Sequence, residues 1–150
     1  MVYFRWTMSK SGFTLIETIV TIFILIILIS LAVPKLDMDF AYMDKMANEF
    51  AMDVRYIQME SMKVPGAEYN IRINMAEGYY NVDVDTVTVK TVRFKKRYKI
   101  SYSNVNMNSI GFTYEGMPVN AGTFSILDTK SNEKKEVSIV PTTGRTIIKE

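Results

Sequence analysis

Neither cysteine nor histidine occurs in this 150-residue chain. Their absence removes disulfides, thiolate nucleophiles, soft-metal sites and the side chain most used for proton transfer near neutral pH. No enzyme is therefore expected and no cofactor is implied. An excess of either charge is also missing, with 18 Lys and Arg against 16 Asp and Glu, which gives no support for bulk polyelectrolyte binding. Internal repeats and low-complexity stretches are lacking too. The length suits one domain with a modest core. A chain without cysteine is compatible with export, but that alone does not fix the compartment.

What is present is a run from Phe13 to Val33, FTLIETIVTIFILIILISLAV, whose 21 residues include one ionisable side chain, Glu17. Roughly 20 apolar residues cross a bilayer as a helix. Arg5 and Lys10 precede the run and no acid does, which places the N-terminus in the cytoplasm and the main body outside. A secretory signal peptide would end in a small-residue cleavage site after its apolar core. Leu31-Ala32-Val33-Pro34 is a poor one, because Pro34 would directly follow the cut. A signal peptide also has no use for Glu17, which costs about 3 kcal/mol in lipid when unpaired.

The stretch Ser11-Gly12-Phe13-Thr14-Leu15-Ile16-Glu17 resembles the processing motif of type IV prepilins and pseudopilins. The resemblance implies a leader, residues 1–12, removed by a prepilin peptidase that cuts between Gly12 and Phe13, and N-methylation of Phe13. It also implies an assembly role for Glu17 and a helix kink at Pro34. Residue chemistry agrees. Gly12 lets an extended backbone approach a protease cleft closely, and the Phe13 amine and a neighbour's Glu17 carboxylate would neutralise each other in a dry filament core. Translation from Met8 would leave the short basic leader MSKSG. Cleavage deletes Arg5 and Lys10 and no acid, so the mature formal charge is zero.

After a membrane helix over 13–34, Leu36, Phe40, Met43, Ala47, Phe50, Val54 and Ile57 recur four and three apart, the stripe of an amphipathic helix over 35–64 that continues into the domain. Val64-Pro65-Gly66 stops it. Met38, Met43, Met46, Met52, Met59 and Met62 are read as flexible gap-filling. Residues 65–150 form a β-rich domain. Strand alternation marks Tyr69–Asn74, Tyr80–Asp85, Thr86–Phe94, Tyr98–Tyr102, Ile110–Tyr114, Thr123–Leu127, Val137–Val140 and Thr146–Ile148. The expected class is α+β: a long N-terminal helix packed on an antiparallel sheet, with two sheets as the variant.

Arg93-Phe94-Lys95-Lys96-Arg97-Tyr98-Lys99 sets Arg93, Lys95, Lys96, Arg97 and Lys99 among aromatics, a candidate DNA contact against the plainer reading of a charged strand turn. Asp83 and Asp85, sharing one strand face, could hold a hard cation, but two carboxylates without further ligands are a weak site, and no metal is expected. In outline the chain is similar to the minor pseudopilins of secretion and competence systems. The expected function is a minor pilin or pseudopilin, a structural subunit of a type IV pilus-like filament. The alternatives are a competence pseudopilus subunit contributing to DNA uptake and a membrane-anchored binding domain that does not polymerise. Implied partners are prepilin peptidase, other pilin subunits, membrane lipid before assembly, DNA in the competence reading and, indirectly, the membrane platform and assembly ATPase. The expected location is a single-pass cell membrane protein and then a surface filament. The Lys-, Ile- and Asn-rich composition fits a Gram-positive bacterium.

Overall fold

A computed structural model describes residues 14–32, 39–63, 66–104 and 108–149. It divides the chain between residues 38 and 39 into two compact units.

The first unit contains helix α1, Leu15–Ala32. Thr14 caps it: the Glu17 amide donates to Thr14 Oγ1 at 3.3 Å, and the Thr14 amide donates to Glu17 Oε2 at 3.5 Å. This reciprocal pairing is a capping box, which satisfies two orphan amides of the first turn. The hydroxyls of Thr18, Thr21 and Ser30 donate to the carbonyls of Thr14, Glu17 and Ile27, so α1 satisfies its polar side chains internally. All its described side chains, residues 15–30, are exposed. Among the described residues no helix is long and apolar enough to cross a membrane. The 18 residues of α1 rise about 27 Å, against a hydrocarbon core of about 30 Å; Phe13 and Val33 lie outside the described residues.

The second unit begins with α2, Asp39–Lys63. Met43, Ala47, Phe50, Val54 and Ile57 of the expected stripe are buried, together with Met46 and Ala51. Eight strands follow: β1 Tyr69–Asn74, β2 Tyr79–Val84, β3 Val87–Arg93, β4 Tyr98–Tyr102, β5 Ser109–Gly111, β6 Thr123–Asp128, β7 Lys134–Ile139 and β8 Thr146–Lys149. They form two four-stranded antiparallel sheets, ordered β3-β2-β1-β5 and β4-β6-β7-β8. The chain passes to the second sheet for β4, returns to the first for β5 and leaves again, which ties the sheets into one body. The architecture is α+β.

Helix α2 packs on β1, β7 and β8, and so on both sheets. Phe50 stacks on Phe124 at 3.9 Å and meets Tyr80 edge-on at 5.2 Å, and all three are fully buried. Aromatic geometry of this kind adds to area burial.

Two strands depart from their expected extents by more than one residue at an end. β5 stops at Gly111 where a strand to Tyr114 is expected: Phe112 makes only an isolated bridge to Pro118, and Gly116 at φ +79° closes a tight turn. β7 starts at Lys134 and not Val137, because Lys135 turns inward to Asp44 of α2 and a charged strand start hides its own alternation.

Candidate functional site

The residues of the cleavage and methylation motif, Gly12 and Phe13, and the kink residue Pro34 lie outside the described residues. Glu17 is described, in the first turn of α1, exposed and engaged with the Thr14 amide. Its carboxylate thus has a local task in the isolated subunit. That capping bond is long and solvent-exposed, which leaves the group open to a stronger cation.

The basic run folds into the end of β3, a short loop and the start of β4, and the five cations part company there. Arg97 donates to buried Asp128 through Nε at 2.7 Å and Nη2 at 2.5 Å, and these bonds hold the Asp128 carboxyl far below the usual carboxylate range. Arg93 lies 4.8 Å over the Tyr79 ring and Lys95 Nζ 4.4 Å over the Tyr42 ring. Tyr42 also stacks on Tyr98 at 4.6 Å and accepts a hydrogen bond from the Lys95 amide at 3.1 Å. Lys96 and Lys99 are exposed and, with Lys95, line a cleft of about 440 Å³ beside Glu77. The structure therefore gathers Lys95, Lys96 and Lys99 and withdraws Arg97 into an ion pair.

Asp83 and Asp85 do not share a strand face. A register shift between Val82 and Asp83 breaks the alternation, and β2 ends at Val84. Asp83 is buried against Thr88 Oγ1 at 2.6 Å and Arg72 at 3.1 Å. Asp85, at φ 54°, sits in the turn and accepts from the Glu68 amide at 2.9 Å. Among the described residues no group of acidic side chains could hold a metal ion.

Sequence reasoning missed the polar flank of α2. Asp53 is buried, accepts from the Tyr80 hydroxyl at 2.7 Å, and receives Lys90 Nζ on both oxygens at 2.7 and 2.9 Å. Burial, reinforced by Asp53, pushes the Tyr80 phenol well above its ordinary value. Burial works against the Lys90 ammonium, but Asp53 and Glu49 outweigh it and raise its pKa. Glu49 and Asp53, four apart beside the apolar stripe, were the available signal.

With this geometry in place, the comparisons with known proteins bear on the N-terminus alone. Residues 7–33 match the family model described as the prokaryotic N-terminal methylation motif, the prepilin signal of type IV pilins and pseudopilins. The chain is in this sense pilin-like, and the motif implies processing by prepilin peptidase and assembly with other pilins. No curated protein and no solved structure matches the chain.

Proposed function

We propose that the chain is a minor, non-catalytic subunit of a type IV pilus-like filament. The observation that carries this reading is the methylation motif over residues 7–33. In this reading the run 13–33 crosses the membrane, prepilin peptidase cuts before Phe13, and the new amine is methylated. The mature subunit then leaves the bilayer through contacts of α1, pairing a neighbour's amine with Glu17. Support comes from α1 itself, whose hydroxyls bond within the helix and whose described apolar side chains, residues 15–30, are exposed. The described residues from 39 to 149 close a core of their own.

Mass spectrometry of the native N-terminus tests the proposal. The expected mature chain begins at N-methylated Phe13. An intact leader, or a cut after Ala32, would overturn the pilin reading.

A further inference from the structure

Four lysines gather at one end of the second unit. Lys95 covers Tyr42 in the first turns of α2, and Lys96 is its neighbour. Lys99 lines the same cleft. The β6–β7 loop that carries Lys130 joins them, since the Thr129 amide and hydroxyl both donate to the Arg97 carbonyl, at 3.1 and 2.7 Å. All four lysines are exposed. The other end of α2 is different: Gln58 Nε2 donates there to the carbonyls of Gly116 and Thr143, and Glu60, Lys63, Glu115 and Arg145 mix both signs.

The lysine-bearing end is where α2 begins, and residues 33–38 join that start to apolar α1. Such a linker reaches no further than about 24 Å even fully extended. If α1 lies in a bilayer, as the function proposed above requires, the start of α2 stays within that covalent reach of its surface. In and beside these loops Lys95, Lys96, Lys99, Lys130 and Arg93 outnumber Glu77 and Glu133, and in the linker sequence Lys35 offsets Asp37. Basic groups beside a membrane segment are attracted by anionic headgroups.

We propose that Lys95, Lys96, Lys99 and Lys130 form a docking surface for anionic phospholipid, which holds the unassembled subunit against the membrane. Single-stranded nucleic acid fits this surface less well. Its bases need open aromatic faces, whereas Tyr42 stacks on Tyr98 and carries Lys95 over its ring, and Tyr79 carries Arg93.

The test reconstitutes the full chain into vesicles of phosphatidylcholine alone, or with about a third phosphatidylglycerol, and follows labelling by a membrane-impermeant amine reagent. In anionic vesicles Lys95, Lys96, Lys99 and Lys130 should label at least about fivefold more slowly than in neutral ones. High salt should reverse the effect, and Lys63 should be unchanged. A variant carrying Lys96→Gln, Lys99→Gln and Lys130→Gln changes exposed side chains only and should restore neutral-vesicle labelling at Lys95. Equal labelling in both vesicle types, with the protein retained through an alkaline wash, overturns the lipid surface and leaves the membrane anchor standing. Protection by a DNA oligonucleotide but not by anionic lipid overturns it in favour of DNA. Loss of the protein from both vesicle types in the wash overturns the anchor itself and this inference with it.

Discussion

Glu17 has two tasks that a pair of substitutions can separate. In the monomer its Oε2 accepts from the Thr14 amide at 3.5 Å while its own amide donates to Thr14 Oγ1 at 3.3 Å. Such a box accepts Glu or Gln at this position, and a cap is worth about 1 kcal/mol. In the filament the same carboxylate is proposed to meet a neighbour's methylated amine in a dry contact. Removing one partner of a buried ion pair costs about 3–5 kcal/mol, which is at least about a hundredfold in an equilibrium.

Glu17→Gln therefore keeps both bonds of the box and loses the charge, whereas Glu17→Ala loses the charge and the bond from the Thr14 amide but keeps the bond from its own amide to Thr14 Oγ1. Hydrogen exchange of the Thr14 amide reads that bond: protection should fall up to about fivefold in the Ala variant and stay near wild type in the Gln variant. Co-purification with sheared filaments reads the pair, and both variants should drop by about a hundredfold while still being processed. A Gln variant that enters filaments like wild type would show that the carboxylate serves the helix cap alone, and the charge-pair argument would fail.

Phe50→Ala should cost about 3–5 kcal/mol in denaturant unfolding, because Phe50 is fully buried between Phe124 and Tyr80; a loss below about 1 kcal/mol would contradict the packing. Gly144→Ala should lower stability by about 1–3 kcal/mol, since Gly144 sits at φ +66° and an added Cβ would meet Gln58 Nε2 at 2.5 Å and Phe112 at 2.7 Å. Thermal melting that leaves this variant unchanged would refute the strain. Burial pushes the Tyr102 phenol up to about 12, above the unfolded value of about 10. Both states keep the proton below the unfolded value, and above it the unfolded chain ionises first, so stability should decline as pH rises through the folded value. Tyr102→Phe should reduce that decline, and identical alkaline melting profiles would exclude it.

Much of the second unit was legible because its core obeys simple periods. The α2 stripe and the strands Tyr69–Asn74 and Tyr98–Tyr102 follow 3.6- and 2-residue repeats, and their inward positions are the buried ones. Legibility failed where a charge faces inward. Lys135 is buried against Asp44 and Lys90 turns to Asp53, so a reader who assigns lysine to solvent shortens β7 and leaves β3 without its anchor. The Val82/Asp83 bulge was hidden for a different reason: an inserted residue changes backbone pairing without changing residue types. Within the basic run, five cations look alike in sequence, and only the distant Asp128 separates Arg97 from the lysines. At the N-terminus the reverse holds, because a peptidase reads an extended motif and the information is linear. That is why residues 7–33 match a family model while the folded body does not disclose its role.

The same inward charges explain how α2 is held. An apolar stripe stabilises a helix on a sheet but fixes its rotation and translation poorly, since hydrophobic contact is non-directional. Along the flanks of α2, Asp44 reaches Lys135 of β7, Asp53 reaches Lys90 of β3, Arg55 Nε donates to Thr146 Oγ1 of β8 at 2.9 Å, and Gln58 ties two loops. These four contacts anchor the helix to both sheets along most of its length, and each needs one specific angle and register. In the filament subunit proposed above, a pull on the N-terminal segment would enter the folded body at the start of α2. A helix retained by burial alone could slide along its groove under that load, whereas sliding here must break several hydrogen bonds together, most of them part-buried and those of Asp44, Asp53 and Arg55 charge-assisted. The polar flank thus suits a body that must move with its anchor without unfolding.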